Sequence, residues 1–397
     1  MERQIGTAAR GIRLPVIRAG EAIEEIVVEH VLKASELHAF SVQDRDIIGI
    51  TESIVARAQG NYAAVDAIAA DLKHKFGGEK LGIVFPILSR NRFSLLLKSI
   101  ARSTKHVIVQ FSYPSDEVGN SLTDENLTDK QGVNPWSDTL NETEFKNHFG
   151  STLHPFTGID YVSYYRSLIE NEGAECTFLF SNQPAAILTY TRNVLVCDIH
   201  TRFRTKERVI AGGSEIAYSL DEILTQSVNG SGYNPEYGLL GSNKATEESV
   251  KLFPRDCQPI VDKIQQLIRN KTGKTVEVLI YGDGAFKDPV GKIWELADPV
   301  VSPAFTSGLK GTPNEVKLKY LADNQFAGLK GRALQQAIVE QIHEKKDNLV
   351  GSMESQGTTP RRLTDLIGSL CDLMSGSGDK GTPVVYIQGY FDSYATG

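Results

Sequence analysis

Cysteine, tryptophan and methionine are scarce in this chain of 397 residues, which carries 4 Cys, 2 Trp and 3 Met. Cys176, Cys197, Cys257 and Cys371 lie far apart and form no C-x-x-C pair, so neither a structural zinc site nor a disulfide framework is indicated. Such cysteines act as small buried hydrophobes. A long apolar run is also missing. The most apolar stretch, 81–100, is interrupted by Pro86, Arg90, Arg92 and Lys98, short of the about 20 apolar residues a spanning helix needs. The opening MERQIGTAARGIRLPVIRAGEAI is charged throughout and lacks the apolar centre of a signal peptide. The expectation is a cytoplasmic protein with no membrane segment. Nor is there a basic excess: 42 Lys and Arg against 49 Asp and Glu give a net charge of -7, which argues against a general nucleic-acid binder.

What is present is an alternation of apolar β-branched runs with helical periodicity, the pattern of an α/β chain with α+β tendency. At this length it should be multi-domain, with mixed sheets and flanking helices. Residues 1–120 read as strands and helices in turn: EAIEEIVVEHVLKA helical, DIIGIT a strand, 62–76 a helix stopped by Gly77-Gly78, then GIVFPIL, RFSLLLKSIARST and HVIVQF. Residues 121–238 differ in texture. They open on the polar LTDENLTDKQGVNPWSDTLNETEF, with Trp136 expected as its anchor, and continue as a small inserted α/β domain in which PAAILTYT and the end of EIAYSLDEILTQSV are expected to be helical. The turn-rich NGSGYNPEYGLLGSN closes the insertion. Residues 239–397 return to helix CQPIVDKIQQLIRNKTG, strand VEVLIY, helix RRLTDLIGSLCDLM, loop SGSGDKGTP and strand VVYIQGYF.

Two apolar strands end in an aspartate beside small residues, Asp116 in YPSDEVGN and Asp283 in LIYGDG. Carboxylates at strand ends suit Mg2+, which takes one or two of them together with substrate phosphates; an Asp in such a position equally serves a plain turn. Gly376, Gly378 and Gly381 stand in G-x-G-x-x-G spacing, but they follow a helix and precede a strand. A dinucleotide fingerprint needs the reverse order, so a Rossmann dinucleotide fold is not expected. The loop, with Asp379 and Lys380, keeps backbone N–H groups that suit phosphate. Asp198, His200 and Arg202, the pair Arg361-Arg362, and Lys287-Asp288 are lesser candidates; an Arg pair entering a helix can clamp phosphate or carboxylate.

Taken together, these segments resemble the gamma-glutamyl ligase family of coenzyme F-420 biosynthesis. IRLPVIRAGEAI is similar to that family's Gly-Leu-Pro start, and GITESIVARAQG to its strand and Ser/Thr-x3-Lys-Ala-x-Gly segment. LFPRDCQPIVDKIQQLIRNKTGKTVEVLIYGDG and LTDLIGSLCDLMSGSGDKGTPVVYIQGY resemble its later blocks in the same order. The resemblance implies an enzyme that uses GTP or ATP with Mg2+ or Mn2+ to activate a small-molecule carboxylate, coenzyme- or folate-like, as an acyl phosphate for attack by L-glutamate. It implies nucleotide contacts at Leu14, Pro15, Ser53, Arg57, Asn120, Gly376 and Gly378, metal ligands at Asp116, Asp283 and Asp379, and a homodimer. Arg57 stands where the family has Lys, and Gly284 where it has a metal-binding Thr. A rival alignment places Glu215 at the Asp116 position. The other readings of the same residues are a non-catalytic nucleotide-binding protein and a metal-dependent phosphohydrolase.

Overall fold

A computed structural model describes residues 4–154, 157–282, 286–287, 294–295, 302–355, 361–376 and 378–396. In chain order the first part runs β1 (Ala8–Ile12), α1 (Ile23–Leu37), β2 (Ile47–Thr51), α2 (Glu52–Ala58), β3 (Tyr62–Ala64) and α3 (Val65–Phe76). Next come β4 (Lys80–Val84), α4 (Phe93–Ser103), β5 (His106–Phe111), α5 (Glu125–Lys130), β6 (Leu140–Asn141), α6 (Glu142–Phe149), α7 (Tyr161–Asn171), β7 (Glu175–Phe180), β8 (Asn193–Val196), α8 (Arg202–Ala211) and β9 (Ile216–Ser219). The last part holds β10 (Asn243–Thr246), β11 (Ser249–Lys251), α9 (Cys257–Thr272), β12 (Glu277–Tyr281), the short hairpin β13 (Phe286–Lys287) and β14 (Trp294–Glu295), β15 (Ala304–Phe305), α10 (Leu318–Tyr320), α11 (Gly331–His343), α12 (Leu363–Met374) and β16 (Val384–Gln388).

The α/β expectation holds, with mixed sheets and flanking helices. One sheet has the order β1-β16-β2-β12-β15. β2 is parallel to β12 and antiparallel to β16. Because β2 is covered on both sides, IIGIT reads as an unbroken apolar run rather than an alternation. Ile48, Ile50, Val278 and Ile280 face the buried side of α1 and α9, while Leu279 and Val385 pack with Ile367 and Cys371 of α12. Gly49 is what lets α12 approach: a Cβ there would meet the Cys371 sulfur at 2.4 Å.

The second sheet has the order β6-β7-β5-β4-β8-β9, parallel except for β6. Its parallel strands follow the doubly wound arrangement, with the switch point between β4 and β8. The turn after β4, FPILSRNRF, has no glycine, so the dinucleotide fingerprint is absent from the place that would need it. This sheet draws β4 and β5 from before residue 121 and the rest from after it. A third, antiparallel sheet, β10-β11-β3, joins the chain before the excursion to the chain after it.

Three local expectations are corrected. Trp136 does not anchor its segment: it is 80% exposed, and Leu122, Val133, Leu140 and Phe145 are the residues buried there. Phe145 stacks on Phe180 of β7. PAAILTYT forms only a 3-10 run over Pro184–Thr189. DEILTQSV stops after a 3-10 turn at Leu220–Glu222, because the next backbone is held elsewhere: Leu224 N donates to Asp71 Oδ2 at 2.7 Å.

Gly49→Ala should lower stability by about 1–3 kcal/mol, the usual effect of overpacking. Urea midpoints would show it, and the additional change Cys371→Ala should recover part of the loss; a midpoint unchanged in Gly49→Ala would contradict the close approach of α12.

Candidate functional site: the strand ends of the first sheet

Strand register brings four connections to one end of the first sheet. Ile12 pairs with Val384, Val384 with Ile50, and Tyr281 with Thr51. The end of β1, the start of β16, the end of β2 and the end of β12 are thus neighbours. Leu14 N donates to Gly381 O at 3.2 Å and Thr51 N to Pro383 O at 3.1 Å, tying the N-terminal loop and the Gly-rich loop to the mouth of β2. A bridge between Gly376 and Thr382 closes the Gly-rich loop and leaves Gly378, Asp379 and Lys380 exposed at its tip. Gly381 takes φ +62, a left-handed conformation that glycine adopts without strain. Pro15 is exposed on the N-terminal loop. β12 delivers Gly282 to this end; Asp283, Gly284 and Asp288 lie outside the described residues.

α2 begins directly after β2, which puts Ser53 in its first turn and Arg57 in its last. Arg57 Nε donates to Ile17 O at 3.1 Å, fixing the guanidinium against the N-terminal loop. Ser53 and Arg57 line a cleft of about 560 Å³ together with Thr51, Glu52, Lys244 and Lys251. Lys251 forms an ion pair of 2.5 Å with Glu52, and Lys244 one of 2.5 Å with Glu247. With these two lysines offset by Glu52 and Glu247, Arg57 is the lining cation that no carboxylate pairs among the described residues, and it suits the cleft to phosphate or carboxylate. Its lysines were not legible in the sequence, because they arrive on the hairpin β10-β11, more than 180 residues after β2 and just past the turn-rich NGSGYNPEYGLLGSN.

Asp116 and Asn120 do not line this cleft; they stand after β5 in the second sheet. Asp116 is buried, and its two oxygens accept four hydrogen bonds: from Leu88 N (3.0 Å), Val118 N (3.0 Å), Asn120 N (2.8 Å) and Asn120 Nδ2 (2.8 Å). Burial raises its pKa and these donors oppose the rise. Such a carboxylate pins its own loop and the turn after β4. That turn reaches the cleft, since Lys244 N donates to Asn91 O at 2.9 Å. Asn120 Oδ1 also meets His154 Nε2 at 3.0 Å, and burial holds this imidazole below its usual pKa. Glu215 is exposed and paired with Arg192 at 3.1 Å.

Near the switch point of the second sheet, Glu117 accepts from Ile199 N (2.5 Å) and His200 N (3.0 Å), and Asp198 accepts from Thr201 Oγ1 (2.5 Å) and Thr205 Oγ1 (2.7 Å). Burial raises both carboxyls and lowers His200. Arg202 pairs with Asp221 at 3.1 Å. Burial pushes Cys176 up to about 11 and Cys257 to about 12, which keeps both thiols protonated and poor as nucleophiles.

The first sheet thus gathers the N-terminal loop, the start of α2 and the Gly-rich loop at one end, beside the cleft that Arg57 lines. The profile described as F420-0:gamma-glutamyl ligase matches residues 11–389, and the chain belongs to this family. It is a ligase. No curated protein matches the chain. Among the described residues no helix is long and apolar enough to cross a membrane.

Glu117 provides a test of the buried switch point. Its carboxyl is raised from an ordinary 4.5 to about 7, chiefly by burial, so the folded state holds its proton more tightly than the unfolded state. That contribution to stability is complete below about 4.5 and falls away as pH rises to about 7, by at most about 3 kcal/mol. His154 and His200, lowered by burial, act in the opposite sense in both wild type and variant. The difference between wild type and Glu117→Gln in urea midpoints at pH 5 and pH 8 should isolate the glutamate. Parallel pH profiles would contradict this assignment.

Proposed function

We propose that the chain is a nucleotide-dependent gamma-glutamyl ligase that joins a small-molecule carboxylate, F420-0 or a folate-like acid, to L-glutamate through an acyl phosphate. A carboxylate oxygen of the acceptor attacks the γ-phosphorus of GTP or ATP, and the nucleoside diphosphate leaves. The glutamate amine nitrogen then attacks the acyl carbon and phosphate departs as the amide forms. Most of the protein's contribution to such a transfer is positioning and electrostatic stabilisation.

The observation that carries this reading is the convergence of Leu14, Ser53, Arg57, Gly376 and Gly381 on the end of β2, beside the cleft that Arg57 lines. In the proposal Arg57 draws in the phosphates, the backbone N–H of the exposed Gly378 meets them, and Leu14 with Pro15 contacts the nucleoside. Arg57 offers a planar fork of donors where a lysine would offer a point charge. Asp116, with Asn120, is proposed to hold the turn whose Asn91 meets the cleft.

A divalent ion, Mg2+ or Mn2+, would accompany the nucleotide. Among the described residues no group of three or more His, Cys, Asp or Glu side chains could hold it, and Asp116 is already fully engaged, so these residues alone make no cage. Asp283 and the exposed Asp379 are the carboxylates proposed for it. A homodimer is proposed on the family resemblance.

Arg57→Ala should weaken GTP binding roughly tenfold or more, by loss of a charge-assisted phosphate contact, with Arg57→Lys intermediate. Titration with a fluorescent GTP analogue in excess Mg2+ measures it, with ATP as competitor. Equal affinities in wild type and Arg57→Ala would remove the cleft from the nucleotide site.

A further inference from the structure

The first sheet ends in a strand with one side unclaimed. β1 bonds to β16, and among the described residues no strand pairs with its other edge. The N–H and C=O groups that point away from β16 have no strand partner there, which makes this edge a template for an added strand. Beside it lies a groove of about 550 Å³, lined by residues of β1 and α1, that shares no lining residue with the cleft at α2. Arg10, Arg13, Lys33, His30 and His38 line it, and no carboxylate does. Glu29 and Glu36 of α1 lie outside the lining. The floor is apolar: Ile12 belongs to the core that α1 covers, and Phe40 lies under the Arg10 guanidinium, its centroid 4.6 Å from Cζ. Arg10 Nη1 donates to Gln388 Oε1 at 2.8 Å, which fixes this cation in place. Arg13 and Lys33 are exposed and form no ion pair among the described residues. His30 Nδ1 donates to Ile26 O at 2.8 Å, which leaves Nε2 for another partner. Leu37, 70% exposed, adds an apolar wall.

The side chains of β1 alternate across the sheet: Ile12, with Arg10 over Phe40, faces α1, while Ala9 packs on the α12 side. A strand added beside β1 alternates in the same way and sends every second side chain into the cationic groove. We infer that this edge receives an extended acidic segment of a partner protein, bound as a further strand of the first sheet, with Glu or Asp at alternate positions meeting Arg10, Arg13 and Lys33. Backbone bonding to the edge supplies affinity, and the cations supply register and selection. A second copy of this chain does not fit. Pairing β1 with β1 about a twofold axis brings Arg10, Arg13 and Lys33 of both copies onto one face, and like charges across a strand pair are destabilising. The groove, its charges and the free edge are independent of the ligase reading.

Fluorescence anisotropy of the full chain with a fluorescein-labelled peptide of alternating Glu and Thr tests it. The controls are a peptide of alternating Lys and Thr, and two forms of the acidic peptide, N-methylated at every Glu or at every Thr nitrogen, each of which blocks one edge of the added strand. The acidic peptide should bind and the basic one should not, and of the two N-methylated forms only the one blocked on the β1 side should lose binding. The double variant Arg13→Gln/Lys33→Gln should weaken the acidic peptide roughly tenfold or more. Both side chains are exposed, so this variant should keep the wild-type unfolding midpoint. Equal affinities of the two N-methylated forms would reduce the contact to plain charge attraction and overturn the added strand. Unchanged affinity in the double variant, or no binding by the wild type, overturns the site, as does binding of phosphatidylserine vesicles in place of the peptide.

Discussion

One buried ion pair joins the two ends of the long excursion that this chain makes away from its first sheet. Glu52, the first residue of α2, meets Lys251, the last residue of β11, at 2.5 Å, with side chains only 4% and 9% exposed. Removing one partner of such a pair strands a charge in the interior, at a cost of about 3–5 kcal/mol. Its neighbours act with it. Asn61, fully buried, donates to Phe253 O and accepts from Tyr233 N and Arg255, so the strand that leaves and the strand that returns are locked side by side. The same pair sits in the wall of the cleft, so the contact that closes the fold also holds Lys251 beside Ser53 and Arg57.

The first sheet then reads as a device for collecting loops. Its parallel pair β2 and β12, flanked by antiparallel β16 and β1, sends one connection from each strand to a single end. Segments far apart in the chain, 13–21, 52–57 and 378–383, become neighbours there through strand register and the bonds Leu14–Gly381 and Arg57–Ile17. The second sheet serves this end through a relay: Asp116 holds Leu88, and Asn91 of the same turn holds Lys244.

Much of this was legible in the sequence, for identifiable reasons. IIGIT, VEVLIY and VVYIQ are buried on both faces and announce themselves as apolar runs; Gly273 and Gly77 end their helices in the left-handed conformation expected of them. The order of the blocks, rather than any one motif, carried the family resemblance, and the profile match over residues 11–389 agrees with it. Other features left no local trace. A parallel strand buried on both faces carries no mark of which sheet it joins, so GIVFP and HVIVQF could not be told from the strands of the first sheet. Asp116 looked like Asp283, since both end an apolar strand, and only the fold reveals four donors around its carboxylate. Lys310 stands far before Arg362 and Asp365 in the chain, and the two segments are neighbours because Leu363 bonds to Gly311.

The central claim is that phosphoryl transfer and amide formation are coupled on this scaffold. Phosphate release from GTP, followed with F420-0 and L-glutamate supplied together, singly or not at all, tests it most directly. The account predicts sustained release only when acceptor and glutamate are both present, with one phosphate formed per amide. Release that proceeds at the same rate without glutamate would contradict it.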